Sequence, residues 1–132
     1  MKKATKEEIA KSRKDVLDYS RNNIVGEKIR RKEIRSDIEF TRKGIKKALN
    51  QSHERYLEKN KAIKNIVDLL KKAPYIESVD NFKKDKKPTI KKYHYFSIDI
   101  ADIPSQIVIE ENSIGRLVFY AITKEKTKQP LA

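Results

Sequence analysis

The feature that most constrains this chain is a change of hydrophobic period near residue 90. In 90-IKKYHYFSIDI-100, His94, Phe96, Ile98 and Ile100 point one way, and Tyr93, Tyr95, Ser97 and Asp99 the other. An alternation of two is the mark of a half-buried strand. Two more strand-like runs follow, 106-QIVIEE-111 and 116-RLVFYAITKE-125, with Pro104 as a break before the first and 112-NSIG-115 as the turn between them. Connections this short join antiparallel neighbours.

Upstream, the apolar residues recur every three or four positions instead. In 5-TKEEIAKSRKDVLDYSRNN-23, Thr5 and Glu8 make a capping box, and Ile9, Ser12, Val16 and Tyr19 form a thin stripe. Thr41 caps a second helix through Arg42, Ile45, Ala48 and Leu49. Gly44 lies inside it and weakens it by about 1 kcal/mol relative to Ala. The best helix spans 58-EKNKAIKNIVDLLKKAPY-75, where Ile63, Ile66, Val67 and Leu70 line one face and Pro74 ends it. Gly26 stops the first helix, 24–37 reads as a charged linker with short extended pieces, and Ile38-Glu39-Phe40 as a short strand. Tyr75 to Lys92 reads as a polar, lysine-rich connector containing Pro88.

Helices followed by strands imply an α+β fold, with N-terminal helices packed on one face of an antiparallel sheet of about four strands. The chain divides into a helix and charged linker over 1–36, an α+β domain over 37–127, and a disordered tail over 128–132.

Composition removes several function classes. There is no cysteine, so disulfides, thiolate zinc sites and cysteine nucleophiles are out. His53 and His94 are the only histidines and lie far apart in sequence, which argues against a metal centre; no cofactor is expected. The three glycines do not cluster into a phosphate loop. No nucleophile-elbow motif supports a Ser-His-Asp triad. No run approaches the length of a membrane span, and the N-terminus lacks an apolar core of the signal-peptide kind. The expectation is a soluble chain that does not enter membranes. It would be cytoplasmic, or delivered into a target-cell cytoplasm as a module of a larger protein.

The net charge of +13, from 32 Lys and Arg against 19 Asp and Glu, favours a polyanionic partner over a merely lysine-rich surface. The stretch 50-NQSHERYLEKN-60 holds His53, whose ordinary pKa suits general acid or base work. Arg42, Lys43, Lys46 and Lys47 precede it, and Arg55, Lys59 and Lys61 follow. A proton shuttle and clustered cations are what cleavage of RNA through its own 2′-OH requires, because the ribose supplies the nucleophile. The plainer reading is a solvated polar loop between two helices. Tyr93 and Tyr95 are either base-stacking platforms or ordinary strand aromatics. His94, among the apolar positions of its strand, reads as structural.

The run 38-IEFTRKGIKKALNQSHERYLEKNKAIKNIVDLLKKAPYI-76 resembles nuclease domains grouped with barnase, EndoU, colicin and RelE toxins. The branch it resembles occurs in phages and in phage Mu F-like head-protein fusions. The matching pattern is a short strand, an (S/T)xKGIK helix, an NQxHxxYxEKN segment, an apolar helix ending in AxY, and then a sheet. The resemblance implies a ribonuclease-like fold that cuts RNA, often tRNA, without metal. It implies His53 as acid/base, Lys46 and Lys59 at the phosphate, and Tyr120 or Thr123 completing the site. Arg42, Lys43, Asn50, Gln51, Arg55, Tyr56, Asn60, Tyr93, Tyr95 and Lys124 would bind nucleic acid. Ser52, Arg55 and Ala121 depart from the pattern, Ala121 by placing a small apolar residue where these folds often carry a polar one. The expected function is a metal-independent ribonuclease toxin or effector domain, with an acidic immunity or antitoxin protein as partner. The alternative is a non-catalytic nucleic-acid-binding accessory domain of a phage or mobile-element protein.

Overall fold

The computed structural model of the chain describes residues 4–81 and 88–125. The tail expected over 128–132 lies outside the described residues, as does the middle of the lysine-rich connector. Helix α1 (Lys6–Asn23) starts as its capping box requires: the Thr5 hydroxyl accepts from Glu8 N at 3.1 Å and the Glu8 carboxylate from Thr5 N at 2.9 Å. Ile24 ends the helix, and Gly26, at φ +93°, turns the chain so that its N–H meets the Phe40 carbonyl at 2.9 Å. The charged stretch that follows is not merely a linker. It contains strand β1 (Lys28–Arg30), which pairs antiparallel with β2 (Asp37–Glu39), the short strand expected at Ile38-Glu39-Phe40.

Helix α2 (Arg42–Asn50) is capped by Thr41, whose hydroxyl accepts from Gly44 N at 3.0 Å. The long helix expected over 58–75 is two helices, α3 (Tyr56–Lys64) and α4 (Ile66–Lys72), which meet at Asn65. At Asn65 the backbone leaves helical geometry, with φ −108° and ψ 19°. Ile63, Ile66 and Leu70 are all fully buried across this break.

Strand β3 (Tyr75–Asp80) begins at once after Pro74, where the sequence read as connector. It is an edge strand, half wet on both faces, and so shows no clean alternation of burial. Strands β4 (Ile90–Ile100), β5 (Ile103–Asn112) and β6 (Leu117–Lys124) form the meander that the period-two pattern predicts. Pro104 does not break the run; it sits at the start of β5, a place where a missing N–H is tolerated.

The fold is therefore α+β, as expected, but the sheet has six strands rather than about four, in the order β1-β2-β6-β5-β4-β3. It is also mixed, because β2 runs parallel to β6, with Ile38 opposite Leu117. One core joins the helices to one sheet face: Val16, Ile45, Leu49, Ile63, Ile66 and Leu70 meet Phe96, Ile107, Ile109, Phe119 and Ile122. Burying each such side chain contributes roughly 1.5–3 kcal/mol. Among the described residues, no helix lies across the middle of the other face of the sheet.

Candidate nucleic-acid interface

The stretch 50–60 turns its polar atoms inward. Lys59 is fully buried, and its ammonium donates to the carbonyls of Ala48 at 2.7 Å, Leu49 at 3.1 Å and Gln51 at 2.5 Å. These carbonyls lie at and just past the C-terminal end of α2, its negative dipole end, and among the described residues only that of Ala48 also accepts a backbone N–H, from Gln51 at 3.3 Å. The same ammonium lies 4.2 Å from the Tyr56 ring centroid. Burial first, and the Arg13 charge second, pull its pKa down to about 7. Tyr56 donates its hydroxyl to Leu49 O at 2.9 Å, and Asn60 is fully buried with no side-chain partner among the described residues.

His53 belongs to the same loop. Its Nδ1 accepts from Arg55 N at 2.9 Å, so in the neutral ring the proton sits on Nε2 and is donated to Ser105 Oγ at 2.9 Å. Ser105 passes its own proton to Ile103 O at 3.0 Å. Both ring nitrogens are thus engaged in holding the loop against the start of β5. Burial, and then the Lys59 charge, hold the imidazole below its ordinary pKa. Beside it, Lys124 donates to Glu54 at 2.6 Å and Arg55 to Glu58 at 3.4 Å.

Helix α2 is held against β6 so closely that only glycine fits at position 44. A Cβ there would collide with the Phe119 carbonyl oxygen. This explains a glycine inside a helix. The exposed side of α2 carries Arg42, Lys43, Lys46, Lys47 and Asn50 around one shallow depression of about 610 Å³. Lys46 and Asn50 also line the groove toward Arg13 and Leu17 of α1, and Asn50 accepts from Arg13 at 3.3 Å. On the other side, Lys43 and Lys47 join Thr89, Glu110, Arg116 and Val118 around a cleft of about 510 Å³.

That cleft opens beside the helix-free face of the sheet. His94 and Phe96 point into the core, so Tyr93 and Tyr95 project from the opposite face. Tyr120 joins them: its ring centroid lies 6.1 Å from that of Tyr93, with the Lys47 ammonium 5.8 Å away on another side. A bulge in β6, between the pairs Val108–Ala121 and Ile109–Phe119, sets the position of Tyr120. Glu77 of β3 stands opposite Tyr95, and Gln106 donates to Thr123 at 3.2 Å farther along. Burial, with the phenols of Tyr120 and Tyr93 and the Glu77 carboxylate nearby, pushes the Tyr95 hydroxyl above its ordinary pKa. Ala121 is fully buried opposite Val108, a packing position.

The structure thus separates residues that the sequence reading grouped. His53 and Lys59 sit in the loop and the core, whereas Tyr120 and Thr123 stand on the helix-free face. It brings Tyr93, Tyr95 and Tyr120 together with Lys47, while Arg42, Lys43 and Lys46 remain exposed on α2. Glu77 and Gln106 were missed; Gln106 lies opposite Ser97, in step with the tyrosines of β4, whereas the bulge before Glu77 left no sequence cue. Among the described residues no group of three or more His, Asp or Glu gathers as metal ligands, and no helix is long and apolar enough to cross a membrane.

Neither proteins of curated function nor solved structures include a match to this chain. The family model described as large polyvalent protein-associated domain 3 matches residues 7–120. Nearly the whole described fold falls within that match, from the start of α1 to Tyr120 on the open face, and the chain is a member of the large polyvalent protein-associated domain 3 family.

Proposed function

We propose that this domain is a metal-independent ribonuclease whose substrate lies across the helix-free face of the sheet. The observation that carries this reading is the row of Tyr93, Tyr95 and Tyr120 flanked by the lysines of α2. Every base has a face to stack on a phenol ring, at roughly 1–3 kcal/mol per base, and lysines track the phosphates. A net charge of +13 supplies the long-range attraction.

Cleavage through the 2′-OH needs one group to take its proton and another to protonate the departing 5′-oxygen. Glu77 and Tyr95, facing each other across β3 and β4, are suited to these roles. The carboxylate is the base. The phenol, kept protonated by its raised pKa, is the acid. Lys47 offsets the charge that builds on the phosphorus oxygens. The toxin or effector setting and an acidic inhibitor protein as partner both follow from this reading.

Single-stranded RNA and total tRNA incubated with the protein in EDTA should give fragments ending in 2′,3′-cyclic phosphate. Tyr95→Phe should slow this by about a hundredfold, while His53→Gln should leave the rate of folded protein unchanged. The reverse pattern would return the chemistry to His53. The engagement of both His53 ring nitrogens, together with the absence of histidine from the helix-free face among the described residues, favours a second reading: RNA binding without turnover. Intact RNA, together with a salt-sensitive gel shift that Tyr120→Ala weakens, would establish it in place of the first.

A further inference from the structure

On the helix side of the sheet, away from the tyrosine row, four side chains form one hydrogen-bonded chain across three strands. Tyr75 and Ser78 hydroxyls meet at 2.5 Å, Ser78 Oγ lies 2.5 Å from His94 Nδ1, and His94 Nε2 lies 2.8 Å from Glu111 Oε1. The direction of each bond follows from the last member. An ionised carboxylate only accepts, so Nε2 carries the ring proton. Nδ1 is then an acceptor, and it takes the hydrogen bond of the Ser78 hydroxyl. The Tyr75 hydroxyl in turn donates to Ser78 Oγ.

One irregularity in the sheet brings this about. Residues three apart on a strand normally face opposite sides. The bulge between Tyr75 and Glu77 inserts Ile76, so Tyr75 and Ser78 share a side. On β5, Glu111 pairs with Lys92, two residues from His94 and on the same side of β4. His94 is only 4% exposed, whereas Ser78 is open to solvent. The parts are therefore a surface hydroxyl, a buried base and an orienting carboxylate, which is the functional logic of an activated serine without its usual sequence motif.

We propose that Ser78 is a nucleophile that takes the acyl group of small activated carboxylic esters, at a second site independent of the RNA-binding face. Ser78 Oγ attacks the carbonyl carbon while its proton passes to His94 Nδ1, and Glu111 stabilises the resulting imidazolium. The carbon–oxygen bond of the ester breaks, and the alcohol leaves with that proton. Water then attacks the acyl-serine by the same route, releasing the acid and restoring the hydroxyl. Tyr75, next to Oγ, is the hydrogen-bond donor for the oxygen that becomes negative.

The test uses p-nitrophenyl acetate with the whole chain, mapping acetyl groups by peptide mass. Hydroxylamine removes acetyl from serine and leaves acetyl-lysine intact, which separates Ser78 from the many surface lysines. The expected result is a hydroxylamine-sensitive acetyl on Ser78, absent from Ser78→Ala, whose RNA cleavage is unchanged. Glu111→Gln, checked for folding by circular dichroism, should acetylate about a hundredfold more slowly. Should that variant fail to fold, Tyr75→Phe should slow acetylation about tenfold by removing the oxyanion donor. No acetyl on Ser78, or equal rates in the parent and the folded variant, would overturn the proposal.

Discussion

The stretch from Asn50 to Asn60 and the helix-free face of the sheet both gather polar and aromatic residues, yet they spend them differently. In this stretch, the Lys59 ammonium and the Tyr56 hydroxyl donate to carbonyls of Ala48, Leu49 and Gln51, and both His53 ring nitrogens are engaged, so these polar atoms are consumed within the fold. On the sheet, Tyr93, Tyr95 and Tyr120 are half-exposed beside the lysines of α2, and a ligand can reach them. A cluster of catalytic residue types in sequence is therefore no guide to a site until burial is known.

The sharpest way to break this contrast is Lys59→Met. It removes a buried cation from three carbonyls at the end of α2, at an expected cost of about 4 kcal/mol in a urea unfolding curve. RNA cleavage per folded molecule should hold. A variant as stable as the parent but inactive would make Lys59 part of the site after all. Gly44→Ala should cost about 3 kcal/mol, because α2 must move off β6. It should also weaken RNA binding, since that seat places Lys47 beside Tyr120. Tyr120→Ala acts on the open face alone: about a tenfold loss of affinity for single-stranded RNA by fluorescence titration, with the urea midpoint nearly unchanged.

A further expected effect is one of pH. Folding lowers the pKa of His53 below 6.5 and that of Lys59 from 10.5 to about 7. In both windows the unfolded chain holds more protons than the native one, so stability rises with pH. The His53 contribution is lost as pH falls below 6.5, and the Lys59 contribution grows from about 7 upward. Urea midpoints from pH 6 to pH 9 should climb, and the climb above pH 7 should flatten in Lys59→Met. An identical slope in both proteins would remove Lys59 from this account.

Local signals made much of the fold legible in the sequence. Thr5 and Thr41 announce their helices because a cap is a short-range device. The meander shows itself because β4 buries alternate residues on the core face and short turns join it to β5 and β5 to β6. Strand β3 escaped notice, and β1 showed only as an extended piece of linker, because short or edge strands bury too little to show a period. The break at Asn65 escaped because the apolar spacing runs straight through it. For the site, Lys59 carried a cue that was overlooked: with Ile63, Ile66 and Leu70 it repeats at the spacing of the buried stripe. The meeting of Tyr120 with Lys47 had no such cue. It depends on a bulge and on a helix seated over a distant strand, neither of which sequence spacing reveals.

The parallel pairing of Ile38 with Leu117 has a consequence in time. Strand β6 provides the partner for β2, the seat for α2 and the ring of Tyr120, yet it is the last element of the described fold to be synthesised. Until it emerges from the ribosome, the proposed RNA-binding face has no floor under its cationic rim. On the proposed function, a nascent chain would complete its RNA-binding face only once β6 has emerged, so the order of its strands would act as a delay.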